Sequence, residues 1–276
     1  MCKTRIQVGT SGYSYAEWRE AGFYPKDTKT PEMLSIYSST FPITELNYTW
    51  YQMPKAAAME RMIHNAPTDF CFAAKLTRTM THEVNPDQWR SQVSQYREGI
   101  SPLLQSRQLA ALLVQLPPGF DRTPKNRLYL AKLLDELAGL PIAVEFRHIS
   151  WATDSVFKEL QHREVTLVAV DRPDLPWLFP RLDVVTNHDL FYIRFHGQNA
   201  KGWRSGNMQK QFDYDYSNDE LNQWIEDIIK KMAGQARKGV IFFNNHVRGQ
   251  APKNASTLIG QLIEHGMMEN KSWSDS

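Results

Sequence analysis

Cysteine is scarce in this sequence of 276 residues, which contains only Cys2 and Cys71 and no Cys-x-x-Cys pair. Two cysteines so far apart argue against a disulfide-stabilised scaffold and a cysteine-based zinc site, and they favour a reducing, cytoplasmic setting. Long hydrophobic runs are also missing, since no stretch approaches the roughly 18 apolar residues of a membrane-spanning helix. Residues 1–5 lack the apolar core of a signal peptide. We therefore predict a cytoplasmic protein with no membrane partner.

The sequence has no large excess of charge of either sign, because 32 Lys and Arg balance 30 Asp and Glu and leave a net charge of +2. A chain that is 42% hydrophobic and 12% aromatic is expected to fold rather than remain disordered. The small positive charge lends only weak support to nucleic-acid binding. The length suits one α/β barrel, which commonly needs about 250 residues, and leaves little room for a second domain.

Short apolar runs rich in Val, Ile, Leu and Phe recur along the chain, and each is typical of a strand buried on both faces. They cover residues 5–10, 43–47, 70–75, 111–116, 142–146, 165–170, 191–195 and 240–243. Helix-start signals lie between them at Thr30-Pro31-Glu32, Asn85-Pro86-Asp87, Thr123-Pro124 and Ser217 with Glu220. Eight strands alternating with helices predict one α/β domain over residues 1–276, a single (β/α)8 TIM barrel with its core at about 5–265.

Side chains of a strand point alternately to its two faces, and in these runs one set is large and apolar while the other becomes polar at the carboxyl end. The large set, which includes Val168 and Val170, is expected to pack against the outer helices. The other set is expected to reach the C-terminal rim of the barrel, where this fold carries its chemistry. The rim residues so predicted are Glu45, Asn47, Lys75, Gln115, Glu145, Arg147, Asp171, Arg194 and His196, together with Asn244 or Asn245 after the last strand.

The main functional hypothesis is an enzyme whose catalytic groups are Lys75, Glu145, Asp171 and His196. Lys75 and Glu145 would form an acid/base pair, and burial beside alanines would lower the pKa of Lys75. Proton transfer, anion binding and Schiff-base chemistry all remain open for this lysine, and hydrolase, lyase and isomerase reactions are all compatible. In this hypothesis, Glu145→Gln and Lys75→Met fold normally but lose ligand binding or turnover.

The substrate of this enzyme would be a small anionic molecule. Arg147, Arg194 and His196 would bind its phosphate or carboxylate group. The remaining substrate-binding residues would be Glu45, Asn47, Gln115 and Asn244, with Tyr13, Trp50 and Trp151 as walls of the pocket. No cofactor is assigned.

Three other interpretations of the same residues are open. Glu145, Asp171 and His196 would hold a divalent cation in a metal-dependent phosphoesterase or isomerase, although Lys75 and Arg147 bring opposing charge and no metal is assigned. Aromatic side chains and the basic loop at 197–213 would suit a non-catalytic nucleic-acid or nucleotide-binding protein. The charged residues would otherwise form only a structural network, for example Lys75 with Glu145 and Arg147 with Asp171.

Several separate motifs in this order resemble the YecE-like family, a domain of unknown function. They are Gly9-Thr10-Ser11-Gly12-Tyr13-Ser14-Tyr15 with Trp18, Tyr24-Pro25, Glu45-Leu46-Asn47 with Tyr51 and Pro54, Phe72-Ala73-Ala74-Lys75 with Thr81-His82, Gln115-Leu116-Pro117-Pro118 with Phe120, Glu145-Phe146-Arg147 with Ser150-Trp151, Arg194-Phe195-His196-Gly197, and Phe242-Phe243-Asn244-Asn245. The match covers about residues 5–265, with Trp50 standing where the family often has Phe. The resemblance implies a TIM barrel and supplies no activity.

Overall fold

Eight parallel strands form a closed barrel in the computed structural model, which describes residues 4–269. The strands pair in chain order, and β8 closes the barrel on β1. They are β1 (Arg5–Ser11), β2 (Ile43–Leu46), β3 (Cys71–Lys75), β4 (Leu109–Gln115), β5 (Ile142–Glu145), β6 (Thr166–Asp171), β7 (Leu190–Phe195) and β8 (Lys238–Phe243). The predicted (β/α)8 TIM barrel is confirmed, with every strand end within two residues of its predicted position.

Helices cover the barrel and separate consecutive strands, except that residues 172–189 between β6 and β7 form no helix. The α-helices are α1 (Glu17–Glu20), α2 (Met33–Thr40), α3 (Tyr48–Tyr51), α4 (Ala56–His64), α5 (Trp89–Gln105), α6 (Pro124–Glu136), α7 (Asp154–His162), α8 (Ala200–Ser205), α9 (Met208–Gln211), α10 (Asn218–Trp224), α11 (Lys230–Ala233) and α12 (Gln250–Glu264). A π-helical turn (Ile225–Ile229) joins α10 to α11, and 3-10 turns occur at Thr30–Glu32, Arg78–Met80, Ile149–Trp151 and Val247–Gly249. None of the helices formed by residues 4–269 has the length and apolar character needed to cross a lipid bilayer.

Two of the predicted helix starts use their own side chains as caps. The Thr123 hydroxyl accepts a hydrogen bond from the Asn126 amide at 3.3 Å, and α6 begins at the following proline. Ser217 and Glu220 form the reciprocal capping box that begins α10. Thr30 is the first residue of its 3-10 turn rather than the cap, which is Lys29.

The core consists of a barrel interior and an outer layer between strands and helices. Alanines from β3, β4 and β5 and larger residues from β2, β4, β6, β7 and β8 fill the interior: Ala73, Ala111, Ala143, Ile43, Leu113, Val168, Val170, Leu190, Tyr192, Val240 and Phe242. The predicted alternation is therefore wrong for β6, because Val168 and Val170 face inward whereas Ala169 packs in the outer layer. Ala143 on the neighbouring strand β5, together with Ala73 and Ala111 farther round the barrel, leaves interior volume that the β6 valines occupy.

Cys71 at the start of β3 is a free thiol, and Cys2 lies outside the described residues.

Candidate active site

A concave cavity of about 720 Å³ opens at the carboxyl ends of the strands. Its polar lining comes from the ends of β2, β3 and β4 and from residues just after β5 and β8: Glu45, Asn47, Lys75, Gln115, Arg147 and Asn244. Its aromatic walls come from the segments that follow β1, β2, β6 and β7, including the short helices α3 and α8: Tyr13, Tyr15, Tyr48, Trp50, Tyr51, Trp177, Trp203 and Phe212. Eight of the predicted site residues therefore share one cavity, Tyr13 and Trp50 among them.

The floor beneath the cavity is a buried ion-pair network centred on Arg194. Its Nη1 lies 2.6 Å from Glu145 Oε2 and its Nη2 lies 2.6 Å from Glu45 Oε1. The Ser11 and Tyr192 hydroxyls donate to the Glu45 carboxylate at 2.7 and 2.6 Å. All of these side chains are almost completely buried. Each carboxylate of this network has both a cation and further donors, which offset the free-energy cost of its burial.

Glu145 is held as a carboxylate by two arginines. Burial alone would raise its pKa, but the guanidinium groups of Arg147 and Arg194 hold the pKa well below its usual range. The Arg147 Nε contacts Glu145 Oε1. A buried carboxylate with two cationic partners is poorly suited to accept or release a proton near neutral pH. Glu145 is better described as a residue that positions Arg147.

His196 is buried between this network and the cavity. Its Nε2 lies 3.1 Å from Glu145 Oε1 and 3.2 Å from Arg147 Nη2, and its Nδ1 lies 3.1 Å from Asn244 Nδ2. Burial and the adjacent Arg147 lower its pKa to about 3, so the ring is neutral at pH 7. The contact with His196 shows that Asn244 is the inward member of the asparagine pair.

Asn245, the other member of the pair, points away from the cavity. Its Nδ2 donates to the Tyr214 carbonyl and to Asn254 Oδ1, both at 2.7 Å.

Lys75 ends β3 with its ammonium group in the cavity and its stem partly buried. Its Nζ lies 5.2 Å from the centroid of the Trp50 ring, which is within range of a cation–π interaction. Within residues 4–269 no carboxylate lies within 4.0 Å of this nitrogen, because Glu45 and Glu145 pair with arginines. Burial and the positive charge of Arg194 lower the pKa of Lys75 to about 7, although the two carboxylates act in the opposite direction.

Arg147 is the second cation of the cavity, and it too lies on an aromatic face. Its guanidinium carbon is 5.3 Å from the centroid of Trp203, a residue of α8 in the loop that follows β7. Burial lowers its pKa from the ordinary value, and the guanidinium remains charged at neutral pH. Lys75 and Arg147 thus enter the cavity from different strands. Each of these cations lies over the ring of a different tryptophan.

Asp171 lies outside this site, and its predicted position is wrong. Its side chain points into the outer layer, where it accepts hydrogen bonds from Gln198 Nε2 at 2.6 Å, from Trp224 Nε1 at 3.0 Å and from the Tyr216 hydroxyl. Burial raises its pKa to about 6 despite these donors. The cause is the reversed orientation of β6, which turns Asp171 outward together with Ala169.

The predicted metal triad is not assembled, because Asp171 faces away from Glu145 and His196. The part of the chain that the structure describes contains no group of three or more His, Cys, Asp or Glu side chains that would hold a metal ion. The pairs named for the network interpretation also differ from the observed ones. Glu145 pairs with Arg147 and Arg194 instead of Lys75, and Arg147 does not pair with Asp171.

Trp151 is likewise absent from the cavity. Its ring stacks between Phe120 and Phe146, with centroids 5.7 and 4.7 Å away, and its Nε1 donates to the Phe120 carbonyl at 2.7 Å. It is buried between β5 and the helix layer, so it stabilises the fold and does not wall the pocket.

Ser11, Tyr192 and several wall residues of the cavity, Phe212 among them, were not among the predicted site residues. Tyr192 donates to Glu45 from within the barrel, and its position two residues before Arg194 was a usable signal because both side chains share one strand face. Phe212 contributes to the cavity wall from the loop after β7, and nothing in the local sequence distinguishes it from a packing residue.

A closed eight-stranded barrel with charged groups at the carboxyl ends of its strands defines the chain as a TIM-barrel protein. The chain belongs to the DUF72 family, described as proteins of unknown function, whose model matches residues 7–274. The YecE-like resemblance is thereby confirmed, since YecE is a member of this family.

Named relatives agree along most of the chain. The UPF0759 protein YunF of Bacillus subtilis is 27% identical over 271 residues, covering 93% of this chain and 94% of the relative. The crystal structure of a DUF72 family protein from Thermotoga maritima is similar with a TM-score of 0.84 and 33% identity, over 94% of this chain and 99% of that one. A DUF72 family protein from Enterococcus faecalis gives a TM-score of 0.84 and 27% identity over 94% and 95%.

Proposed function

We propose that this protein is an enzyme that moves a proton to or from a small substrate carrying a phosphate or carboxylate group. The observation that carries the proposal is Lys75, an ammonium group in the cavity with no carboxylate partner among the described residues and with a pKa of about 7. A group with a pKa near the working pH is present in both its acid and base forms, which is what general acid–base catalysis requires.

The charge balance supports an anionic substrate. In the floor, the carboxylates of Glu45 and Glu145 are balanced by the guanidinium groups of Arg147 and Arg194. Lys75 is the charge left over at the cavity surface, and Arg147 exposes its remaining donors to the same space. An anion bound there would raise the pKa of Lys75, so binding and proton uptake would be coupled.

The positions of these side chains indicate a different chemical role for each. The neutral amine of Lys75 would accept a proton from the substrate, and the resulting ammonium would return it to another atom. Arg147, oriented by Glu145 and by the face of Trp203, would stabilise the negative charge that develops. Asn47, Gln115 and Asn244 would orient the substrate through hydrogen bonds from the same cavity.

We also propose that the chain acts in the cytoplasm as a single domain with its core at about residues 5–265. The scarcity of cysteine in the sequence supports a location in the reducing cytoplasm. The closed barrel, with α12 packed against β1 and β8, supports the domain assignment.

The experiment is a screen for proton exchange and turnover in D2O. Small phosphorylated and carboxylate-bearing metabolites are incubated with the protein, and proton NMR follows loss of C–H signals or formation of products. The wild type and the control variant Lys125→Met, altered at an exposed position of α6, should act on at least one compound. Lys75→Met should lower kcat by about 100-fold or more while retaining the circular dichroism spectrum of the fold.

Two outcomes would count against the proposal. Equal activity of Lys75→Met and wild type would remove Lys75 from catalysis. Binding of nucleotides without any turnover, weakening steeply with salt, would instead favour the non-catalytic nucleotide-binding alternative.

A further inference from the structure

The aromatic side chains of the cavity fall into two groups. Trp50 and Trp203 each lie against a cation, with Lys75 Nζ 5.2 Å and the Arg147 guanidinium carbon 5.3 Å from the ring centroids. Tyr51 and Trp177 also line the cavity, but they are exposed to solvent over 57% and 48% of their surfaces. The first pair supports the charged groups of the protein, and the second pair is left open to the ligand space.

The exposure of the second pair is unusual within this molecule. Five large hydrophobic side chains of the described residues are well exposed, and the two aromatic ones among them both line this cavity. Among those residues, Trp177 makes no ring contact with another aromatic side chain, and Tyr51 contacts only the edge of Trp50. Exposed apolar surface concentrated at a cavity is typical of a ligand-binding site.

The size of the cavity points the same way. Its volume of about 720 Å³ is that of a site for a whole small molecule, and an isolated phosphate or carboxylate group at Lys75 and Arg147 would occupy only a small part of it. Ring faces of sugars and bases stack on tryptophan and tyrosine with little regard for their hydrogen-bonding pattern.

We propose that the ligand of this site joins its anionic group to a ring, either a sugar or a base, and that this ring lies against Trp177 and Tyr51 while the anionic group reaches Lys75 and Arg147. This inference rests on the function proposed above and adds the class of substrate: a ring-bearing phosphate or carboxylate.

The experiment uses the eight tryptophans of the chain as probes. The protein is labelled with 5-fluorotryptophan, and the fluorine signals of Trp50, Trp177 and Trp203 are assigned by single substitutions. Inorganic phosphate, ribose 5-phosphate and adenosine 5′-monophosphate are then titrated separately. Phosphate separates the anion site from the ring site, and the two organic phosphates distinguish a sugar from a base.

We expect inorganic phosphate to shift the fluorine signals of Trp50 and Trp203 but not that of Trp177. At least one organic phosphate should also shift Trp177 and bind about tenfold or more tightly than phosphate, as stacking on an aromatic side chain provides. Trp177→Ala and Tyr51→Ala should each remove most of that gain without changing phosphate binding. Leu128→Ala, which alters another exposed apolar residue outside this cavity, should change neither.

The titrations distinguish failure of the ring site from failure of the proposed anion site. If phosphate binds at Trp50 and Trp203 but the organic phosphates bind no more tightly, or bind equally well to Trp177→Ala, the ring site is wrong and the anion site stands. If none of the three probes shifts any of these signals, both the ring site and the proposed anionic substrate are overturned.

Discussion

At the scale of single residues, the charged side chains differ in whether they have partners. The carboxylates of Glu45 and Glu145 pair with Arg194 and Arg147, so these charges are compensated within the network. Lys75 lies nearby without such a partner, and burial lowers its pKa to about 7. Groups held in an unfavourable state by their surroundings are typical of functional sites. This difference separates structural from functional residues more sharply than their sequence positions do.

The stability of single variants tests this separation. Glu145→Gln and Arg194→Met each leave a buried charge without its partner, so we expect losses of about 3–5 kcal/mol in the free energy of unfolding. Lys75→Met removes a partly desolvated charge and should leave stability unchanged or raise it. Urea unfolding at pH 7 measures all three. The sequence alone predicted that Glu145→Gln folds normally, whereas the buried ion pairs of Glu145 predict a loss of stability. An unfolding midpoint of Glu145→Gln equal to that of the wild type would contradict the second prediction.

At the scale of elements, the short apolar runs predicted all eight strands, and the capping residues predicted the starts of α6 and α10. The orientation of β6 was the exception. Its alternation offers two sets, Val168 with Val170 and Ala169 with Asp171, and the assumption that the larger apolar set faces the helices failed. Which face needs bulk depends on residues contributed by other strands, here Ala73, Ala111 and Ala143. That information is tertiary and is not contained in the pattern of a single strand.

Two glycines test how tightly the elements pack. A Cβ at Gly239 of β8 would lie 2.0 Å from the ring of Phe191 on β7, whereas a Cβ at Gly260 of α12 would meet no atom within 4 Å. Gly239→Ala should therefore cost about 1–3 kcal/mol through overpacking. Gly260→Ala should stabilise by about 0.5–1 kcal/mol, because alanine has less conformational entropy to lose in a helix. Thermal unfolding compares the two, and equal effects would contradict the described packing.

At the scale of the whole molecule, strand alternation predicted which residues turn toward the barrel axis but not how deep each one lies. Glu145, Arg194 and His196 do point inward, yet they form the floor beneath the cavity, and of the residues at the end of β5 only Arg147 lines the cavity itself. Depth depends on the stagger between strands and on the size of the side chains stacked below. The sequence therefore identified most residues of the site correctly but predicted the wrong role for several of them.

The fully buried His196 and Asp171 should give opposite pH dependences to the stability of the whole fold. His196 has a folded pKa of about 3 against 6.5 when exposed, so below pH 6.5 the unfolded chain binds a proton that the folded chain does not, and stability falls with falling pH. Asp171 has a folded pKa of about 6 against 3.8, so between these values the folded chain binds the proton and stability rises with falling pH. Glu145, whose pKa lies well below its usual range, stays ionised in the folded chain across this pH range.

From pH 6 to 4.5 each group should change the free energy of unfolding by about 1.5–2 kcal/mol, and in the wild type the two changes largely offset each other. Asp171→Asn removes the favourable change, so its stability should fall more steeply than that of the wild type across this range. His196→Gln removes the unfavourable one and should fall less steeply or rise. Urea unfolding at four pH values measures the slopes, and the other histidines contribute equally to all three proteins. Parallel curves would show that neither buried group titrates as its surroundings dictate.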